Sequence, residues 1–256
     1  MAEATQGNGA IAALRRAIDE SERIVALTGA GISTESGIPD FRSPGGTWQR
    51  MKPITFGEFV ASESARMEDW RRRFVMNESF ARAEPNAGHF GLARMAQAGR
   101  LRAVVTQNID GLHQRAGLAP DILIELHGNA THGRCLDCGT PMSLFEVREV
   151  IDRSAASPRC TCGGLVKAAI ISFGERMPAE ALGRASNLAA EADLFLVFGS
   201  SLVVQPANAL PVIAKRAGAQ LVIVNREPTP VDSAADFCVR EPIGAVCSAL
   251  FPEIVN

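Results

Sequence analysis

The sequence predicts an α/β fold: a doubly wound parallel sheet carrying a second, smaller domain built from two insertions. Three observations lead there. Short runs dense in Val, Ile and Leu alternate with helix-length segments, the pattern of a parallel sheet covered on both faces. A glycine turn, Thr28-Gly29-Ala30-Gly31, follows the first of these runs. Small or polar residues close the later runs, at the strand ends where doubly wound sheets bind their ligands.

Taken in order, residues 10–20 have the apolar spacing of a helix, and 24–27 (Ile-Val-Ala-Leu) read as a buried strand. Gly29 and Gly31 permit a tight turn that would leave the amides of residues 30–33 facing an anion. A helix beginning near Ile32 would add its positive end, so a pyrophosphate needs no lysine there. The third glycine of the dinucleotide fingerprint is missing, since Thr34 stands in its place. Asp40-Phe41-Arg42 then sets an acid, a ring and a guanidinium in the following loop. Further strands are expected at 102–106, 122–126, 170–173, 194–198 and 221–224. Two stretches break the alternation: 47–86 is polar, arginine-rich and helical in character, and 130–167 holds cysteines and little core. The expected division is a discontinuous Rossmann-like domain of 1–46, 87–129 and 168–256, with 47–86 and 130–167 forming a smaller zinc-binding and helical domain.

Composition narrows the class. In 256 residues, 46% are hydrophobic and 21% charged, enough apolar material for a real core. The net charge of -2 gives no general attraction to nucleic acid or anionic membranes. No apolar run approaches the roughly 20 residues that span a bilayer, and the first residues lack the basic-then-apolar order of a secretory signal. A cytoplasmic protein, and hence a reducing environment, is expected. Of six cysteines, four cluster as Cys135-x-x-Cys138 and Cys160-x-Cys162, with 21 residues between the pairs. Beside glycines, thiolates at these spacings suit a closed tetrahedral zinc site of structural kind; the plainer reading is four unrelated buried thiols. Cys238 and Cys247 lie in apolar sequence and read as core.

Each polar motif falls at an expected strand end. Val105 leads to Thr106-Gln107-Asn108-Ile109-Asp110-Gly111-Leu112-His113, and Leu126 leads to His127-Gly128-Asn129. Ser172 leads to Phe173-Gly174-Glu175, Phe198 to Gly199-Ser200-Ser201, and Val224 to Asn225-Arg226-Glu227. Five such ends point to one crevice. His89, after Pro85-Asn86-Ala87-Gly88, reads as a residue that fixes a helix start, and His113 as structural.

With these residues in view, the chain resembles the sirtuins, NAD-dependent protein-lysine deacylases. TGAGIS…GIPDFRSPGG, TQNIDGLH, ELHGN, the two cysteine pairs, FGE, GSSL and VNREPT stand in that family's order, over about residues 24–252. The resemblance implies NAD as cofactor, one structural zinc ion on Cys135, Cys138, Cys160 and Cys162, and acyl-lysine proteins or peptides as substrates. It implies loss of nicotinamide from the ribose C1′ with oxocarbenium character, and attack there by the acyl oxygen. His127 matches the family's general base, a task open to an imidazole with its ordinary pKa of about 6.5. Asn108 and Asp110 match the pair that grips the carboxamide, with Ile109 between them, and Gln107 would line the ribose. Gly29, Ala30, Gly31, Ser33, Thr34, Asp40, Phe41 and Arg42 match the loop over nicotinamide and phosphates. There Phe41 would keep water from the reactive carbon, and Arg42 would offer paired donors to oxygen. Gly199, Ser200 and Ser201 would serve phosphate or adenosine. Asn225 and Glu227, with Arg226 and Ile243 beside them, would serve the adenosine ribose. The acid of an ordinary dehydrogenase lies about 20 residues beyond the glycines, and Asp40 comes too early for that role.

The substrate peptide in this family adds as a strand between two segments, for which Phe173, Gly174, Glu175 and Val203 to Gln205 are the matching positions. Ile109, Phe173 and the Ile170–Ile171 pair would form a channel for the acyl-lysine stem, though Ile170 and Ile171 serve equally as core. The chain departs from the family in three places. Where succinyl- and malonyl-removing members carry Tyr-x-x-Arg, this tyrosine-free chain has Asp69 and Arg72. Arg72 would meet an acidic acyl group and Asp69 would oppose it; alternatively the segment is a solvated basic face anchored by Trp70 and Phe74. Its Trp-x-Arg-x-Phe order resembles the branch with weak deacetylase activity and varied acyl preferences. Cys160-x-Cys162 is tighter than the usual pair. Ser172 and Ala168-Ala169 are smaller than the family's residues, implying an enlarged acyl entrance for longer or branched groups. Two other classes remain open on the same residues, a protein mono-ADP-ribosyltransferase and a non-catalytic NAD or ADP-ribose sensor. Short tails beyond the core point to a monomer, without nucleic-acid or membrane partners.

Overall fold

The computed structural model describes residues 8–41, 46 and 51–255. Its larger sheet contains β1 (Ile24–Thr28), β2 (Leu101–Thr106), β3 (Leu123–Glu125), β7 (Leu194–Phe198), β8 (Gln220–Val224) and β9 (Phe237–Val239). A second sheet is made of β4 (Gly128–Cys135), β5 (Pro141–Ser143) and β6 (Val166–Ile170). The helices are α1 (Asn8–Glu20), α2 (Phe56–Ala61), α3 (Glu63–Arg82), α4 (Ala87–Gln97), α5 (Leu112–Arg115), α6 (Leu144–Ser154), α7 (Ala179–Glu191), α8 (Leu210–Arg216) and α9 (Ile243–Leu250).

The larger sheet runs β3-β2-β1-β7-β8-β9, and every pairing in it is parallel. Its strands are largely apolar because both faces are covered. Alternate residues of β1 show this directly. Ile24 and Ala26 join Leu14 of α1, Leu92 of α4 and Val246 of α9, whereas Val25 and Leu27 join Ala185 of α7 and Leu210 of α8. The chain winds outward from β1 through β2 and β3 on one side, and from β7 through β8 and β9 on the other. The reversal falls between β1 and β7, which places a crevice at their carboxyl ends.

At that reversal two backbones touch. Gly29 N–H donates to Phe198 O at 3.0 Å and Gly31 N–H to Gly199 O at 2.8 Å. Gly199 has φ of +61°, and a Cβ on it would lie 2.3 Å from the Ile32 nitrogen. Only glycine fits there, for the conformation and for the space.

The second sheet is antiparallel and packs on α3. Trp70 of α3 is fully buried, donates from Nε1 to Val166 O at 3.3 Å, and stacks on Phe74 with centroids 5.9 Å apart. The apolar anchoring by these two rings stands as expected. Local signals set the helix starts: Thr55 with Glu58 and Ser143 with Glu146 form reciprocal capping boxes on α2 and α6. Buried Arg66 ties α3 to the loop ahead of Cys160, donating to Ser157 Oγ at 3.0 Å and to the Phe59 and Val60 carbonyls.

Two expectations need correction. The run at 170–173 is not a strand of the parallel sheet. The strand is β6, it ends at Ile170, and it pairs antiparallel with β4; apolar composition alone does not tell which sheet a short run joins. The turn after β1 opens a 3-10 helix, Ala30–Ser36, rather than an α-helix. Gly37 at φ +82° ends it after 7 residues, longer than the usual 3-10 run of three or four. The three-residue strands β9 and β5 are too short to register in the sequence, and β4 carries too few apolar residues.

Candidate active site

A cavity of about 430 Å³ opens at the reversal, a size suited to a small-molecule site. Its lining comes from the glycine turn and all five polar strand-end motifs. The β1 turn contributes Gly29, Ala30, Gly31 and Thr34, and the next loop Asp40 and Phe41. The β2 end gives Gln107, Asn108 and Ile109, and the β3 end gives His127. Gly199, Ser200 and Ser201 follow β7, Asn225, Arg226 and Glu227 follow β8, and Ile243 heads α9. Ile170, Ile171, Ser172, Phe173, Gly174 and Glu175 line it as well, as do residues of α3 that include Arg72. Ile170 is also buried core. Arg42 lies outside the described residues.

Three expected site residues do not line this cavity. Val203 is half exposed nearby, whereas its neighbours Val204 and Gln205 do face in. Ser33 and Asp110 sit behind the wall in a buried relay. His89 Nδ1 accepts from Asn86 N–H at 3.3 Å, so its Nε2–H points toward Ser33 Oγ at 3.4 Å. The Ser33 hydroxyl donates to Asp110 Oδ2 at 2.7 Å, and Asn108 Nδ2 donates to Ser33 Oγ and to Gly29 O, both at 3.2 Å. Burial raises the Asp110 carboxyl above its ordinary range, against the hydrogen bonds from Leu112 N–H and Ser33. Ser33 thus ties Asn108 to Asp110 and does not itself line the cavity. The amides of the turn are likewise less open than expected: Gly31 N–H donates to Gly199 O across the reversal, and Ile32 N–H to Gly29 O within the turn itself.

His89 caps α4 as expected, and His113 is interior. Thr28 Oγ1 donates to Thr106 Oγ1 at 2.8 Å, so the 2.9 Å contact with His113 has Nε2–H as donor. Its buried Nδ1 has no partner among the described residues. Burial depresses His89 to about 4 and His113 to about 3, where the neighbouring His89 adds to the effect. The sign follows. Unfolded histidines hold a proton below about pH 6.5, the folded ones do not until far lower, so stability is intact above that pH and falls as the pH drops through the window. Denaturant unfolding between about pH 7 and about pH 5 should show this fall, and His113→Asn should lessen the slope by up to about 1.4 kcal/mol per pH unit. Equal slopes in the two proteins would remove His113 from that account.

His127 Nδ1 lies 2.9 Å from Gln107 O. A carbonyl oxygen only accepts, so Nδ1 carries the hydrogen and Nε2 the lone pair. Gln107 in turn donates from Nε2 to the buried Ser200 hydroxyl at 2.7 Å, locking the β2 and β7 ends together. At the β8 end, Arg240 pairs with Asp232 and donates to the carbonyls of Asn225 and Glu227. Sequence reading missed Arg240, which no motif marks. It also missed Lys167, whose place in an apolar strand was the available signal, and the cavity's Met51 to Ile54 and Met76.

The four clustered cysteines converge. Their sulfurs lie within 4.8 Å of one another, with Cys135–Cys162 and Cys138–Cys162 at 3.5 Å and Cys138–Cys160 at 3.6 Å. Tetrahedral zinc–thiolate bonds of about 2.3 Å put sulfurs about 3.8 Å apart. The donor set therefore fits one zinc ion, and the tight Cys160-x-Cys162 spacing closes the site.

Comparison with known proteins gives a consistent picture. The Sir2 family profile matches residues 29–206. The "NAD-dependent protein deacetylase" of Rhodopseudomonas palustris is 54% identical over 228 residues, covering 89% of this chain and 90% of the relative. The "NAD-dependent protein deacetylase 1" of Bradyrhizobium diazoefficiens is 56% identical over 228 residues, covering 89% of each. A solved structure described as "Sir2-p53 peptide-NAD+" superposes with a TM-score of 0.85 at 37% identity, over 95% of this chain and 98% of that one. Another, "Structure of Sir2Tm bound to a propionylated peptide", gives 0.84 at 37% identity, over 96% and 98%.

Proposed function

The chain belongs to the Sir2 family, and on that premise we propose that it is an NAD-dependent protein-lysine deacylase that passes the acyl group to ADP-ribose and releases nicotinamide. The observation that carries the assignment of roles is the His127–Gln107 bond, which fixes a lone-pair nitrogen on a histidine lining the cavity at the strand reversal.

NAD, when bound, supplies an electrophilic ribose carbon as its nicotinamide departs. His127 takes a proton at Nε2 from a ribose hydroxyl, and Gln107 O stabilises the imidazolium through Nδ1–H. Asn108, which lines the cavity, holds the carboxamide, oriented from behind by Ser33, which Asp110 holds in turn. Gly29 to Gly31, Gly199, Ser200 and Ser201 cradle the phosphates at the reversal, and Asn225 and Glu227 take the adenosine ribose. Asp40 positions the covering loop, and Phe41 excludes water from the reacting carbon. The peptide lies as an added strand beside Gly174 and Val203 to Gln205, using backbone hydrogen bonds. Half-exposed Phe173 and Val203 support that placement. Ile109, Ile171 and Phe173 flank the acyl-lysine stem. The small Ser172 in the lining supports room for longer neutral acyl groups. Cys135, Cys138, Cys160 and Cys162 hold one structural zinc ion. No described helix is long and apolar enough to cross a membrane; a monomer acting in the cytoplasm, without nucleic acid, completes the reading.

The test is nicotinamide release from NAD with and without acetyl-, butyryl-, lipoyl- and glutaryl-lysine peptides, with product analysis. Release that requires an acyl peptide and yields O-acyl-ADP-ribose is expected. Peptide-independent release with ADP-ribose on protein would replace the assignment by a transferase, and NAD binding without turnover would replace it by a sensor.

A further inference from the structure

The loop after β8 is short of backbone donors. Pro228 and Pro230 have no N–H, and Arg226 and Glu227 stand exposed in a bend. Yet Asn225 and Glu227 both line the cavity from this loop. Side chains supply the donors instead. Asn225 Nδ2 donates to Glu227 O at 2.7 Å, and Arg240 Nη1 donates to Asn225 O at 2.7 Å and to Glu227 O at 3.0 Å. Register brings Arg240 there. Val224 pairs with Val239 in the parallel ladder, so the residue after β9 stands beside the residue after β8. Asn225 N–H donates to Val239 O at 3.1 Å in the same ladder. The other arm of the guanidinium, Nη2, pairs with Asp232. That carboxylate also accepts from Thr229 N–H at 3.0 Å and from Thr229 Oγ1 at 2.7 Å. One planar guanidinium thus fastens the loop at its start, at Glu227 and, through Asp232, at Thr229. Arg240 itself is not among the residues that line the cavity.

We propose that Arg240 is a positioning residue for the cofactor: its guanidinium preorganises the Asn225–Glu227 loop, so that the adenosine half of NAD meets both side chains already in place. The inference rests on the deacylase reading and deepens it with a residue outside the lining. Asn225 has its Nδ2 held on Glu227 O, which leaves Oδ1 to accept from a ribose hydroxyl. Without Arg240 the Asn225 and Glu227 carbonyls lose their charge-assisted donor, and binding must order the loop and its side chains afresh. That cost falls on affinity. It does not reach the reacting groups, because His127 and Asn108 stand at the β3 and β2 ends and are held by Gln107 O and Ser33. Binding lost equally from ground and transition states raises KM and leaves kcat unchanged. Lysine is a poor substitute, since a single ammonium lacks the fork that reaches Asp232 and two carbonyls at once.

The experiment measures NAD and ADP-ribose binding by calorimetry, beside steady-state kinetics with an acetyl-lysine peptide. The proteins are the wild type, Arg240→Met and Arg240→Lys. Arg240→Met keeps an apolar stem and removes the donors, so it should weaken NAD and ADP-ribose roughly ten-fold. The KM for NAD should rise to match, while kcat at saturating NAD and the KM for the peptide stay within about twofold of wild type. Arg240→Lys should lie between the two in affinity. A merely structural role would lower kcat and raise both KM values together, and that result overturns the proposal. So does a folded Arg240→Met that binds ADP-ribose within about twofold of wild type. If Arg240→Met does not fold, Arg240→Lys decides: weaker ADP-ribose binding at unchanged kcat supports the proposal, and unchanged binding overturns it. Failure of every acyl peptide to release nicotinamide in the wild type would sink the deacylase reading instead, while the ADP-ribose affinities still judge Arg240. A wild type that binds neither NAD nor ADP-ribose overturns both.

Discussion

His127→Ala is expected to lower kcat/KM for acyl-peptide-dependent nicotinamide release by about a thousand-fold, within the range that a positioned general base supplies. NAD affinity should change little, because His127 is one residue among many in the lining and its ring bonds the protein through Gln107 O. His127→Gln is the sharper comparison. Its amide can still donate to Gln107 O but has no basic nitrogen, so it should be nearly as inactive as the alanine variant. Steady-state kinetics beside NAD binding by calorimetry would decide. Activity in His127→Gln within about fivefold of wild type would mean that the histidine positions and does not accept a proton.

Removal of zinc should do the largest damage to structure. The four sulfurs join the β4–β5 turn to the loop before β6, and Cys135 and Cys160 share a core with Trp70, Val147 and Val166. The Arg66–Ser157 bond carries that order on to α3, which walls the cavity. Cys160→Ala is expected to abolish stoichiometric zinc and to cost this unit at least about 3–5 kcal/mol, the scale of losing a structural tie. The large sheet has its own two cores and should keep its fold, so the loss should appear as a separate early unfolding transition together with loss of acyl-peptide turnover. Metal analysis and calorimetry are the measurements. A variant with one full equivalent of zinc and a single unchanged transition would refute the four-sulfur assignment.

Much of this was legible in the chain because it depends on short-range rules. The strands β1, β2, β7 and β8 show as apolar runs too dense for a half-exposed sheet, and Gly29 and Gly31 as a turn no bulkier residue could make. The cysteine pairs announce zinc because thiolate geometry is demanding. His127, Gln107 and Asn108 could be picked out because each ends a strand, and strand ends of such sheets share one edge.

What the sequence by itself determined is therefore the α/β class, the Sir2 resemblance, the zinc ligands and the set of residues gathered at the crevice. Tertiary structure decided what those residues do with one another. It moved 170–173 out of the parallel sheet, since an apolar run does not name its partner strand. It spent the Gly31 and Ile32 amides on Gly199 and Gly29, and drew Ser33 and Asp110 behind the wall. It gave Arg72 to Glu68 and Arg73 to Asp69, although both acids and both arginines stand within one helix. Apolar periodicity is a local property that burial imposes on each element alone. A hydrogen bond or ion pair between two of several eligible groups depends on which pair packing brings within about 3 Å, and no local pattern contains that distance.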